Sequence, residues 1–348
     1  MHPNQQFCFT HSTGSDVFLF ALKNKNGTEV LISNYGAIIN AIRLKQADGS
    51  YNDIVLGFDK MEDYLDKDYL ANYPWLGAAV GRYGNRIKNA SFKIDGIIYP
   101  LSENSGQDQL HGGKEGFDKK VWDVIGSSDH QLQLHYKSAD GEEGFPGNLD
   151  VTISFELNDA DELSYTYKAT TDKATAVNLT HHSYFNLNNG KGRIDDHEVK
   201  IYAGHYLEQD ENFVVTGNLI ATKNTAHDFS HWKKINTNWN PADGYDQSFV
   251  TGKKDNSLSP MAEAYSDQSK IKLQVWSTDP VVHLYTGKYL PDLKGKNNTA
   301  YAAFSAFCLE TQVHPNAINI PGFPSTILRP GETYFQQTVY KIIQEAEK

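Results

Sequence analysis

The stretch Asn178 to Leu187, NLTHHSYFNL, holds the only adjacent pair of histidines in the chain. Imidazole is the side chain best matched to moving protons near neutral pH. Neighbouring residues on an extended strand point to opposite faces. On a regular strand Asn178, Thr180, His182, Tyr184 and Asn186 share one face, while Leu179, His181, Ser183, Phe185 and Leu187 share the other. The first face is a row of hydrogen-bonding groups suited to a sugar or another polyhydroxyl ligand. The second is mostly apolar. His182 is therefore the candidate for chemistry and His181 a structural histidine, provided no β-bulge separates them.

A partner for His182 is offered by AFCLETQ (306–312), where Glu310 follows the apolar run Phe307, Cys308, Leu309. A carboxylate in such a setting is partly buried and needs a partner or a function. Two further polar clusters stand out. In GRYGNRI (81–87), Asn85 and Arg86 follow a glycine turn, and in LHGGKEGFDK (110–119), His111 precedes two glycines that would let backbone approach a ligand closely. An imidazole and a carboxylate in one cleft form an acid/base pair. Reference pKa values near ~6.5 and ~4.3 leave the carboxylate ionised and the imidazole partly protonated at neutral pH. Such a pair suits a reaction that only moves protons.

Other chemistries find no footing. GRYGNR has two glycines but not the strand–GxGxxG–helix context, and neither a GxxxxGK[ST] loop nor a GxSxG elbow occurs. His227 and His231 in HDFSHW are four apart but lack the HExxH pattern and a third ligand, so they read as solvated loop histidines. No metal or organic cofactor is expected. With 32 Lys+Arg against 43 Asp+Glu, the formal charge of −11 disfavours nucleic acid and anionic membrane. A neutral small molecule is the ligand class that remains.

The elements that must position these residues are strands. In DVTISFEL (150–157), Val151, Ile153, Phe155 and Leu157 alternate with polar residues. The segments 132–137, 163–171, 197–203, 271–278 and 332–343 have the same β-rich composition. Turn signals fall between them at 23–29, 46–52, 138–148 and 188–193. One stretch, DKMEDYLDKDYL (59–70), has helical spacing through Met61, Tyr64, Leu65 and Tyr69. No linker or internal repeat divides the chain. The expectation is an all-β protein, one large antiparallel β-sandwich domain over residues 1–348 with few short helices. Cys8 and Cys308 have no metal-type spacing and read as two free thiols. No export signal or apolar run of membrane-spanning length is visible, which favours a cytoplasmic protein, although a periplasmic one trimmed of its signal would look identical.

At these clusters the chain resembles the aldose 1-epimerases (galactose mutarotases) along nearly its full length. The resemblance rests on GRYGNRI, LHGGKEGFDK, VNLTHHSYFNL, GYDQSF (244–249), FCLETQ and LRPGETY (328–334), in the family order. It implies a galactose mutarotase-like supersandwich with an open sugar cleft, no cofactor, and a free aldohexose such as galactose or glucose as the small-molecule substrate. It further implies Glu310 as base, His182 as acid and His111 beside the ring oxygen. Asp246, Asn85 and Arg86 would bind hydroxyls, and His283 would line the sugar site. A monomer or weak homodimer is expected.

The sequence departs from the family pattern at three places. His181 stands where Asn is common, Tyr83-Gly84 replaces a small apolar pair, and in DPVVHLYTGKY (279–289) His283 stands where Gln is common and Leu284 where an aromatic residue is common. Two alternative readings exist. A hexose-phosphate 1-epimerase would need several cations, and the motifs supply chiefly Arg82 and Arg86. A non-catalytic carbohydrate-binding protein would not need both Glu310 and His182.

Overall fold

The computed structural model describes residues 4–253 and 255–345. Its largest element is a nine-stranded antiparallel sheet. The order runs Asp123–Ser127, Gln131–Ser138, Leu149–Leu157, Glu162–Thr171, Tyr334–Gln344, Ile271–Ser277, Ser259–Ser266, Glu198–Ile201 and Lys233–Lys234. The alternation read in the sequence sets its faces: Val151, Ile153, Phe155 and Leu157 are buried along one strand, opposite Tyr165 and Tyr167 on the next.

Two five-stranded sheets complete the β-sandwich. One is a meander of Gln5–Thr10, Asp16–Lys23, Glu29–Ser33, Ile39–Lys45 and Tyr51–Asp53. The other runs Val215–Ala221, His205–Gln209, Asp246–Val250, Val281–Tyr285 and Cys308–Gln312. A single apolar cluster draws Phe20 and Ile32 from the first, Phe249, Leu284 and Leu309 from the second, and Ile153, Leu273 and Tyr340 from the large sheet. Each fully buried aliphatic or aromatic side chain contributes roughly 1.5–3 kcal/mol. The core therefore ties the back of the second small sheet firmly in place, and its other face is free to carry polar groups.

The helical spacing at 59–70 resolves into two short pieces, a 3₁₀ turn at Met61–Leu65 and an α-helix at Lys67–Ala71. Asp66 separates them in an extended conformation, its carboxylate accepting the Asp68 N–H as an N-cap. Met61, Tyr64 and Tyr69 are still buried, together in a second apolar cluster with Phe58. The two cysteines are free thiols. Among the described residues, no helix is long and apolar enough to cross a membrane.

Candidate active site

Three neighbouring strands build the floor of a cleft. Across Asp246–Val250, Val281–Tyr285 and Cys308–Gln312, Ser248 stands opposite His283 and His283 opposite Glu310. Alternation sends Phe249, Val282, Leu284 and Leu309 into the core. The residues between them, Asp246, His283, Tyr285 and Glu310, face the cleft. The wall comes from the NLTHHSYFNL segment. Only Thr180–His181 pairs as a strand, with Ala79–Val80, yet the alternation continues far enough to separate the histidines. The His182 N–H donates to the Ala78 carbonyl, and the His182 carbonyl accepts from the Gly77 N–H. The imidazole of His182 enters the cleft.

His181 turns the other way, against Tyr165 and Phe155. Its Nε2 pairs with the Ala37 carbonyl at 3.2 Å and its Nδ1 with the Ser183 hydroxyl at 3.0 Å. Burial pushes its pKa down to about 3. The rest of the polar row divides. Tyr184 lines the cleft beside His182, but Asn186 donates to the carbonyls of Lys191, Gly192 and Ser305, and Asn178 braces Val313. Those two asparagines are backbone braces rather than ligand contacts.

The seven residues singled out for the site, His111, His182, Glu310, Asn85, Arg86, Asp246 and His283, line this one cleft. Nε2 of His182 lies 3.6 Å from Oε1 of Glu310. His111, His182 and Glu310 offer polar atoms all within 4.8 Å of one another, so one small molecule can touch all three. His227 and His231 join no such cluster among the described residues; His227 stacks on Tyr206 instead. Burial drives His182 below its ordinary pKa while the Glu310 carboxylate pulls the other way. His111 is held well below the usual range by burial, and then by repulsion from His182, Arg86 and His283. The Asn85 N–H donates to Nδ1 of His111 at 3.3 Å. In the neutral ring this leaves the proton on Nε2. Nδ1 of His182 contacts the Cys308 thiol at 3.5 Å.

The glycines after His111 serve a different purpose from the one expected. A Cβ on Gly112 would sit 1.9 Å from the Gly81 carbonyl oxygen. The close approach is between two segments of the protein's own backbone, which locks the His111 turn (φ 52° at His111, 86° at Gly112) against the GRYGNRI turn. Arg82 also differs. Its guanidinium donates to Ser138 and to the carbonyls of Pro146, Ser138 and Ala139, away from the cleft. Arg86 is thus the one Arg or Lys among the cleft-lining residues, its guanidinium 5.3 Å above the Phe213 ring. A phosphate dianion would meet a single Arg or Lys here.

What sequence reasoning missed is the aromatic frame: Tyr73, Trp75, Tyr285 and Tyr289 also line the cleft, with Pro74 between the first two. The Trp75 ring lies 4.7 Å from His111 and stacks over His182 at 6.4 Å, with Tyr184 stacked on His182 at 5.0 Å. Flat apolar faces beside convergent hydrogen-bonding groups suit a sugar ring, which has both kinds of surface. The signal was present in the NYPW run at 72–75.

The sequence profile of the family described as aldose 1-epimerase matches residues 19–341. The chain belongs to the aldose 1-epimerase family. It is 35% identical to the aldose 1-epimerase of Escherichia coli K12 over 340 residues, covering 95% of this chain and 97% of that one. It is 40% identical to human galactose mutarotase over 340 residues, covering 95% of each chain. Among solved structures, an aldose epimerase homologue from C. elegans superposes with a TM-score of 0.86 at 30% identity, over 94% of this chain and 99% of that one. Galactose 1-epimerase from Lactobacillus acidophilus superposes at 0.83 with 26% identity, over 98% and 99%. The fold is the galactose mutarotase-like sandwich, and the aldose 1-epimerase reaction is an isomerisation that interconverts the α and β anomers of an aldose.

Proposed function

We propose that the cleft takes a free aldohexose, galactose or glucose, and that Glu310 and His182 run the reaction as base and acid. The observation that carries this is the buried His182–Glu310 pair, 3.6 Å apart, at the floor of a cleft framed by aromatic rings and hydroxyl-binding groups. The Glu310 carboxylate takes the proton of the anomeric hydroxyl O1. The His182 imidazolium gives its Nε2 proton to the ring oxygen as the C1–O5 bond breaks and the C1–O1 bond becomes the aldehyde carbonyl. Rotation about C1–C2 presents the other carbonyl face. The protons then return along the same paths, and the opposite anomer forms. His111 hydrogen-bonds beside the ring oxygen, while Asp246, Asn85 and Arg86 hold the remaining hydroxyls. The two unpaired thiols fit a reducing, cytoplasmic setting.

Polarimetry on freshly dissolved α-galactose and α-glucose tests the assignment. Glu310→Gln is expected to fold normally and lose at least about 100-fold in rate, the lower end of what a positioned base contributes. A near-wild-type rate in this variant overturns it. Comparing galactose, glucose, xylose, arabinose, fucose and glucose 6-phosphate then fixes the substrate.

A further inference from the structure

His283 stands at the centre of the cleft floor, but its ring has no nitrogen to spare. Nε2 pairs with Oδ1 of Asp246 at 2.8 Å, and Nδ1 pairs with the Ser248 hydroxyl at 2.8 Å. Asp246 and Ser248 lie two apart on one strand and therefore share its cleft face, and Ser248 is the register partner of His283 on the next strand. The three side chains form a closed chain across two strands. Asp246 keeps its second oxygen uncommitted among the hydrogen bonds, and its side chain is 18% exposed against 3% for His283. The second carboxylate oxygen is free to meet a ligand, whereas both nitrogens of the imidazole are already engaged.

We infer that His283 is a positioning residue, which as a cation fixes one oxygen of Asp246 and so presents the other to the sugar. The inference rests on the cleft being the sugar site and deepens that reading. The charges around His283 agree with it. Asp246 faces it from one neighbouring strand and Glu310 from the other, while Arg86, His182 and His111 close the cleft above. Burial alone would favour a neutral ring, but Asp246 and then Glu310 reverse this, with Arg86 opposing, and hold the imidazolium above its ordinary range. Burial likewise works against the Asp246 carboxylate, and the bond to His283 more than offsets it, keeping Asp246 ionised. The Ser248 hydroxyl accepts a charge-assisted bond from Nδ1–H of the cation and can only donate a weaker one to the neutral ring, so it favours the cation. Only the cation gives Asp246 a bond in which donor and acceptor are both charged.

The test is galactose affinity, read by titration calorimetry on the intact protein between about pH 6 and about pH 9, with thermal unfolding as the fold control. Wild-type affinity is expected to weaken about tenfold as the pH rises through the His283 titration, because a neutral donor replaces a charged one. In His283→Gln the amide still donates to Asp246 but carries no charge. Its affinity is expected to be flat across the range, near the wild-type value at high pH. Ser248→Ala removes the Nδ1 partner and is expected to move the wild-type transition to lower pH, a shift that simple packing loss would not produce. If wild type binds but His283→Gln keeps the same pH dependence, or Ser248→Ala leaves the midpoint in place, the inference is overturned. If wild type shows no galactose binding, the reading of the sugar site falls, and the inference with it.

Discussion

Nε2 of His182 lies 3.6 Å from Oε1 of Glu310, with the two side chains 4% and 2% exposed, and the other carboxylate oxygen of Glu310 has no hydrogen-bond partner. A buried acceptor left open costs on the order of 1–3 kcal/mol unless a ligand fills it, so the site carries a cost that a sugar hydroxyl can relieve. In the proposed cycle one proton enters at Glu310 as another leaves His182, and neither transfer is useful alone. Groups that act as a unit are strongly non-additive when removed. His182→Asn and Glu310→Gln are each expected to lower kcat by about 10²–10⁴. The double variant is expected to lose no more than about tenfold beyond the worse single one, with KM little changed. Losses that multiply in the kinetic assay would mean the two side chains act independently.

Trp75 provides an optical handle on the same cleft. It is stacked over His182 and tilted against His111, so a sugar entering between these rings must change the surroundings of the indole. Galactose added to Glu310→Gln is expected to shift the intrinsic tryptophan fluorescence in a saturable manner. The same titration of Glu310→Gln with Trp75→Phe is expected to leave only a small residual change from the other four tryptophans. An undiminished signal would place the sugar away from Trp75.

How much of this was legible beforehand follows from how local each signal is. The long strands of the large sheet announce themselves because one face is buried, and alternation in Leu149–Leu157 is a local record of that burial. The same parity separated His182 from His181 although only Thr180–His181 is paired as a strand. The two-residue strands, such as Ala79–Val80 and Arg86–Ile87, were not legible, because their pairing partners, not their own pattern, define them. Gly112 was recognised as a close-approach glycine, but what approaches it is Gly81, about thirty residues away. His283 was assigned to the site, whereas its engagement of both Asp246 and Ser248 is visible only across the strand register. Long-range pairing decides those outcomes, and no short window of sequence contains it.

His181 gives a prediction about stability rather than rate. In the neutral form both its ring nitrogens are satisfied, by Ala37 and Ser183, and burial lowers its pKa to about 3. Unfolded, the ring titrates near ~6.5. Its contribution is therefore fully present above that value and is lost as the pH falls toward about 3, because the unfolded chain gains a proton the folded one refuses. At around pH 4 this amounts to roughly 3 kcal/mol. His181→Asn is expected to cost about 2–3 kcal/mol near pH 7.5 through lost packing and hydrogen bonding. That deficit should shrink or vanish near pH 4, where the wild type carries the titration penalty. Urea unfolding at the two pH values measures the difference. The rate of anomer exchange in this variant should stay near wild type, since the side chain faces the core. A constant deficit at both pH values would contradict the buried neutral ring.

Asp279 predicts the opposite sign. It lies between the strands Ile271–Ser277 and Val281–Tyr285, where the chain passes from the large sheet to the cleft floor. Its backbone N–H donates to the Ser277 hydroxyl, but its carboxylate Oδ2 is buried without a partner. Burial raises its pKa to about 7, with Gln336 and the Lys253 charge pulling it back only in part. A carboxyl raised in the folded state stabilises fully below its unfolded value, near ~3.9, and that contribution is lost as the pH rises through about 7. The full loss is on the order of 4 kcal/mol. Asp279→Asn removes the charge while keeping a donor of the same shape. It is expected to raise stability by about 2 kcal/mol near pH 8.5 and to change it little near pH 5, as read by urea unfolding. The rising His181 contribution and the falling Asp279 one nearly cancel between about pH 4 and about pH 6.5, which leaves these two groups a broad stability maximum there. In Asp279→Asn that maximum should move to higher pH; a maximum that stays in place would mean Asp279 is ionised in the folded protein at every pH tested.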